Sequence, residues 1–459
     1  MAGGHGGGGR AAPLQRRGFL VAAAALLAGL ALFPRRLLSL LDRLTERREF
    51  TATPRLLPHD PARDRRTVYV ARGGSPAENV DEVLAKLGGI GAVVGADDVV
   101  LVKVSAQWWN QGMTNVAAVK RLVERIVSSP GFRGEVIVFE NTHFRLPGGS
   151  GLARAFTHPS ERNVDVPGWS TLGDLAPHFA ALGAPVGFVG LVDAGPSSLA
   201  GDAWHDPEHR HGVYGGDGRG PIAPGEERDG YRWDLERAFR VRRSAFRVAQ
   251  TPLTWPVLTS PRTGTVVDLE RGAFRIAGGR RVPAQGRLRW ISMTTANEHA
   301  ATGFTGCCKS AMGVVDMSAG RLGTDPRVRD YASVHYFGHP NASWRMAGPL
   351  AHFARLVRAP DLYVAVAEWV GMTPAAGWDP ERDVRLEASS AVRARTVAAG
   401  VDPVAVDQWL VRTLLMPRGG GRRELYDLDD PGSLLSRFLR EYRAVYGSGT
   451  LDPALVDVV

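Results

Sequence analysis

Two near-continuous apolar runs, Val99-Val-Leu-Val-Lys-Val104 and Glu135–Glu140, constrain the fold of this chain more than any other feature. A strand that is apolar at consecutive positions has to be covered on both faces, which is the situation of a parallel sheet flanked by helices. Between the two runs, Val116, Val119, Leu122, Val123 and Ile126 recur at helical spacing, and Asn115 stands where an N-cap belongs. The same alternation extends outward. Thr67–Ala71 reads as a strand, Val80–Leu87 as an amphipathic helix, Pro349–Val357 as a helix and Leu362–Val366 as a buried strand. Asp402-Pro403 reads as a capped helix start leading to Leu415. The expected class is α/β: a mostly parallel sheet flanked by helices, with a loop-rich, β-containing insertion.

That insertion spans 141–286, where proline, glycine and short apolar runs replace the regular pattern. Val186–Val192 reads there as a strand, Val266–Ile276 as a hairpin and Gly195–Glu227 as mostly loop. One α/β domain over 66–415 contains it, and a C-terminal helical tail over 416–459 follows, with Leu434–Tyr446 as its amphipathic part. Residues 49–65, with Pro54, Pro58 and Pro61, read as a linker. Ahead of them, Gln15-Arg-Arg-Gly-Phe-Leu20 and the apolar run ending at Phe33 resemble a twin-arginine export signal. The resemblance implies the twin-arginine export machinery as a partner and a destination beyond the cytoplasmic membrane. Residues 1–48 then act either as a cleaved signal or as an N-terminal membrane anchor.

The net charge of +9 is concentrated in that leader, whose eight arginines face only Asp42 and Glu46 and leave +3 for the rest of the chain. A body so near neutrality argues against a nucleic-acid-binding surface. Two adjacent cysteines, Cys307 and Cys308, exclude an iron–sulfur cluster ligated by this chain alone and exclude a disulfide framework. As a pair they are open to a vicinal disulfide, a soft-metal site, a nucleophile or simple packing, with packing the favoured reading.

Only four of the 56 basic residues are lysines: Lys86, Lys103, Lys120 and Lys309. In an arginine-rich chain a lysine marks a place where a compact, deprotonatable cation is wanted. Lys86 and Lys120 fall on helix-like faces, whereas Lys103 and Lys309 fall at strand or turn boundaries. Around Lys309, the apolar run Trp290–Met293 gives way to a polar stretch. Gly303 and Gly306 bracket Thr305 there, Cys307-Cys308-Lys309-Ser310 follow, and Met312–Val315 resumes an apolar pattern expected to begin a helix. A glycine turn before a helix start offers free backbone N–H groups to an anion. The adjacent Gly-Lys pair of a P-loop is missing, which argues against nucleotide hydrolysis.

Lys309 and His299, ten residues apart across the turn, are candidate catalytic groups together with Lys103; Glu140 or Asp407 is the candidate supporting carboxylate. Trp108 and Trp109, just after the Lys103 strand, could stack on a ligand or pack. His205, His209 and His211 form a loop cluster of metal-ligand density, so a metal ion is the one cofactor the sequence raises.

Several of these pieces together resemble the domain of unknown function 362 family. They are Val99–Lys103 followed by Thr114-Asn115; Asn297-Glu298-His299 with Thr305-Gly306, Lys309 and Gly313; Val364–Met372; and Ala399–Asp407. The likeness extends over roughly 65–415. It implies ligand-binding roles for Thr114, Asn115, Asn297, Gly303, Thr305 and Gly306. Asn297 replaces the family's usual lysine, Ser105 replaces an asparagine, and the late-strand acidic position falls at Ala367, beside Glu368. The expectation is an exported enzyme or cofactor-binding protein that handles a small anionic ligand at the Gly-Lys turn. The alternative is a non-catalytic, envelope-anchored protein that binds a ligand or metal.

Overall fold

A computed structural model describes residues 64–141, 154–191, 227–228, 230–245, 248–317, 334–338, 342–371, 391–418 and 422–459, with isolated positions ahead of 64. The arginine pair of the leader and the cluster His205, His209 and His211 lie outside the described residues. Residues 1–51 with 241–248 form one compact unit and the rest of the chain another. In the first unit the Arg243 guanidinium lies 5.4 Å from the Phe50 ring centre. The α/β body belongs to the second.

β1 (Arg66–Arg72) leads through α1 (Pro76–Lys86) to β2 (Val99–Val104). α2 (Val116–Val127) carries the chain to β3 (Glu135–Asn141), and α3 (Leu175–Ala181) precedes β4 (Val186–Leu191). A second sheet follows, built from β5 (Glu227–Arg228), β6 (Tyr231–Arg242), β7 (Val248–Thr259), β8 (Val266–Asp268), β9 (Gly272–Ala277) and β10 (Arg280–Pro283). The chain then returns to the first sheet as β11 (Leu288–His299) and the short β12 (Gly303–Thr305). It continues through α4 (Ala347–Leu356), β13 (Leu362–Val370), β14 (Val392–Gly400), α5 (Pro403–Leu410), α6 (Leu434–Tyr446) and β15 (Val456–Val458).

The central sheet has the order β15-β1-β14-β13-β11-β2-β3-β4, with β12 on β11. From β13 to β4 every pairing is parallel. From β2 the chain winds outward to β3 and β4, then comes back to lay β11 on the other side of β2 and β13 beyond it. The winding direction therefore reverses between β2 and β11, and in open α/β sheets the crevice at such a reversal, at the strands' carboxyl ends, is where ligands sit. One face buries Val100, Val102, Val104, Val136, Val138 and Ile291 against Val119 and Leu122 of α2 and Phe179 of α3. The opposite face is covered by α4, where Phe353 meets Trp290 edge-on at 6.2 Å.

Three elements differ from the sequence expectation, each for a local reason. α1 begins at Pro76 rather than Val80, because Ser75 and Glu78 form a capping box and proline fits the first helical position. β4 pairs with β3, so the first part of the 141–286 span belongs to the central sheet, and the insertion proper is the β5–β10 sheet. The tail is not wholly helical: β15 adds to β1 in parallel.

At the amino ends of the parallel strands, Asp98 accepts from the backbone N–H groups of Gly95 and Arg287 and pairs with Arg289, which also reaches Asp361 at 2.8 Å. Two glycines let the chain pass over this corner. A Cβ on Gly286 would lie 1.8 Å from the Asp97 carbonyl oxygen, and one on Gly134 would lie 1.9 Å from that of Asp98. Neither obstacle is a side chain that could turn away. Gly286→Ala is expected to destabilise the fold by about 1–3 kcal/mol, as forced backbone shifts do, seen as a lower urea midpoint with unchanged slope.

Candidate functional site

Lys103 ends the buried part of β2, and its ammonium lies 3.3 Å from Glu140 Oε2 at the end of β3. Both side chains are about 96% shielded from solvent, being 4% exposed. The carboxylate is fully engaged, since Oε2 also accepts from the Ala106 N–H at 3.0 Å and Oε1 from the Asn141 N–H at 3.0 Å. An ion pair this deep needs such extra hydrogen bonds to offset desolvation. A 3₁₀ turn, Ser310–Gly313, with Lys309 at its N-cap, closes over the pair. Gly313 is obligatory there, because a Cβ would fall 2.0 Å from Glu140 Oε1 and 2.7 Å from Lys103 Nζ.

Lys309 is the unsatisfied member of this group. Part of its surface remains open to solvent, and its ammonium makes no hydrogen bond or ion pair with any described residue. Burial, followed by the repulsion of Lys103 and partly opposed by Glu140, pushes its pKa down to about 8. Lysines 103 and 309 therefore do converge near Glu140, and Lys309 is the more solvent-accessible of the two.

The glycine turn behaves differently from the expected anion cradle. Its N–H groups are already taken: Cys307 N–H donates to Asp407 Oδ1 at 2.7 Å and Cys308 N–H to Oδ2 at 2.9 Å. Nor does a helix begin there, only the single 3₁₀ turn, so no helix dipole points outward. Asp407, on α5, is thus a positioning residue that carries the internal anion of the turn, and it does not face an external ligand. Gly306 permits this, as a Cβ would lie 2.3 Å from Asp407 Oδ1. Burial raises the Asp407 carboxyl to about 6 despite the two donors. Cys307 and Cys308 are free and buried, with thiols pushed well up by burial and then by Asp407, which leaves them as packing groups.

His299 does not join the lysines. Strand pairing sets Ser292 beside Lys103, and His299 lies seven residues further along β11, roughly 20 Å away at about 3.3 Å per residue. Its Nδ1 accepts from the Ala301 N–H at 3.1 Å, holding the β11–β12 turn. Gly303, at φ +81°, pairs with His299 and sits against the Leu425 carbonyl, and Thr305 pairs with Asn297.

The remaining expected ligand residues make contacts within the protein. Thr114 Oγ1 accepts from the Ser105 N–H and donates to the Met293 carbonyl, fastening the ends of β2 and β11 together. Asn115 caps α2 and bonds Asn163 and Asp165, while Asn297 donates to the Gln111 carbonyl and Thr295. Trp108 and Trp109 are half-buried, with the Arg154 guanidinium 5.1 and 5.8 Å from their rings and His158 stacked on Trp109 at 4.7 Å. One residue escaped sequence reasoning: Ser292, fully buried, whose Oγ has no partner among the described residues. Its only signal is the strand register that sets it beside Lys103. Among the described residues no group of His, Cys, Asp and Glu side chains is arranged to hold a metal.

These features define an open, doubly wound α/β protein with a lysine-bearing site at the point where its winding reverses. Residues 289–412 match the family model described as Domain of unknown function (DUF362). The matched span holds Lys309, Gly313 and Asp407, and Lys103 and Glu140 lie outside it. No curated protein and no solved structure matches the chain.

The Asp407 pKa is raised in the folded state, so its contribution to stability is complete below about pH 4 and is lost as pH rises through 6. Asp407→Asn does not titrate. Its urea-derived stability is expected to be flatter than wild type between pH 4 and 7, by roughly 2–3 kcal/mol.

Proposed function

We propose that the chain binds a small anionic ligand at the carboxyl ends of β2 and β3, with Lys309 as the group that receives it, and that it is an enzyme or cofactor-binding protein. The observation that carries this reading is the Lys309 ammonium, half-buried yet without an acceptor among the described residues, beside a Lys103–Glu140 pair whose carboxylate is already engaged. A cation in that setting gains most from an anion brought from outside, because the local dielectric is low and no internal partner competes.

Oxalate is a suitable probe, being a compact dianion without an electrophilic carbonyl. Titration calorimetry is expected to show binding at pH 7 that weakens as pH rises through 8, where Lys309 loses its charge. Lys309→Ala should lose about 10- to 100-fold in affinity, the worth of one charge-assisted hydrogen bond. Lys309→Arg should retain binding without that pH dependence. Equal affinity in a folded Lys309→Ala protein would refute the reading.

We further propose that the chain is exported by the twin-arginine route, on the strength of Arg16-Arg17-Gly18-Phe19-Leu20 and the alanine-rich apolar run behind it. Among the described residues no helix is long and apolar enough to cross a membrane. Replacing Arg16 and Arg17 by lysine should hold the full chain in the cytoplasm of an expressing bacterium, read by fractionation. Unchanged export of that variant would remove the route.

A further inference from the structure

We propose that Lys309 is a nucleophilic amine that forms a Schiff base with a small 2-oxo acid. This rests on the reading of Lys309 as the receiver of an anionic ligand, and it names the ligand's chemical class.

The geometry separates a nucleophilic lysine from a simple clamp. A clamp is best made from arginine, whose planar fork grips a carboxylate with two bonds, and this chain uses arginine for all but four of its 56 basic residues. Lys86 and Lys120 are ion-paired to Glu82 and Glu124 on their own helices. Lys103 is paired to Glu140. Lys309 alone among the four has no counter-ion among the described residues, and a neutral amine needs none. A second cation held close by, with its own carboxylate already occupied, lowers the basicity of an amine, so that more of it is unprotonated near pH 8 than of an ordinary lysine. The direction of the Lys309 shift agrees.

The Lys309 Nζ lone pair forms a bond to the carbonyl carbon while the C=O π pair moves to oxygen, which takes a proton. The nitrogen then gives up a proton, a second proton goes to the oxygen, and water leaves as the C=N bond forms. One amine, one carbonyl and one proton become one protonated imine and one water, with no change of oxidation state. The neighbouring Lys103 ammonium offers the proton.

The imine, once protonated, is a fixed positive charge next to Lys103, and Glu140, the one carboxylate there among the described residues, is engaged by Lys103 and two N–H groups. The missing negative charge has to arrive on the substrate, which selects a carboxylate next to the carbonyl. Ser292 strengthens the case for a small polar occupant. It shares its sheet face with Lys103, and two residues on, Thr294 meets Cys307 of the turn at 3.9 Å. The partnerless Ser292 hydroxyl thus lies under the segment that carries Lys309.

The test is to incubate the full-length chain with glyoxylate and cyanoborohydride near pH 8, digest it, and map carboxymethyl-lysine by mass spectrometry. Lys86 and Lys120 serve as internal controls, and Lys309→Arg as the negative control. The expected result is labelling of Lys309 at roughly tenfold or more over the controls, abolished in Lys309→Arg and reduced by competing oxalate. Labelling spread evenly over the four lysines would overturn the proposal. If Lys309 is unlabelled while oxalate still binds through it, the Schiff base falls and the anion site stands. If neither glyoxylate labelling nor oxalate binding depends on Lys309, both fall.

Discussion

A carboxylate inside the protein occupies the place where an outside anion was to be expected, and the site takes its character from that substitution. The turn from Gly306 to Cys308 presents two backbone N–H groups in one direction, and the Asp407 side chain, arriving from α5, accepts both. Buried N–H groups must find partners, and a bidentate carboxylate satisfies both donors at once. The consequence is mechanical. Lys309, the next residue, is held by a rigid turn anchored to a distant helix, so its side chain projects from a fixed base and the task of meeting a ligand passes from the backbone to one amine.

Beneath that amine lies the buried pair of Lys103 and Glu140, and the two halves of the winding meet over it. Lys103 and Glu140 come from strands laid down before the insertion, whereas Lys309 and Gly313 come from the segment laid down after it. The β5–β10 sheet keeps contact with the same corner: Asp316 N–H donates to Thr254 Oγ1 on β7, and Asn141 bonds both Tyr231 on β6 and the Val315 carbonyl.

Much of the scaffold was legible in the sequence because its signals are local. The apolar run of β2, the Asn115 cap and the Asp402-Pro403 start each decide their element within a few residues, and α6 lies at Leu434–Tyr446 as its periodicity requires. Pairing partners are another matter. β14 has an exposed first half and a buried second half, neither alternating cleanly, and β15 is three residues long, so only the neighbours that complete the sheet reveal them. At the site, rarity of lysine singled out Lys103 and Lys309, which the structure brings together near Glu140. Proximity in sequence grouped His299 with them, but β12 runs back antiparallel along β11 and carries Lys309 away from the turn that His299 holds. The role of Asp407 was hidden for the opposite reason: it acts about a hundred residues from the turn it holds, and no spacing rule links them.

The contrast between the two buried carboxylates explains why one lysine is set apart. Glu140 meets a cation and two N–H donors, so its charge is matched where it lies and nothing remains for Lys309. Asp407 meets two N–H donors and, among the described residues, no cation, and its pKa rises to about 6. If Asp407 reached Lys309 instead, each would neutralise the other and the amine would return toward its ordinary basicity. The backbone N–H groups that detain Asp407 thereby keep Lys309 without a partner, so the arrangement that closes the turn to anions is also the one that leaves a reactive amine at its edge.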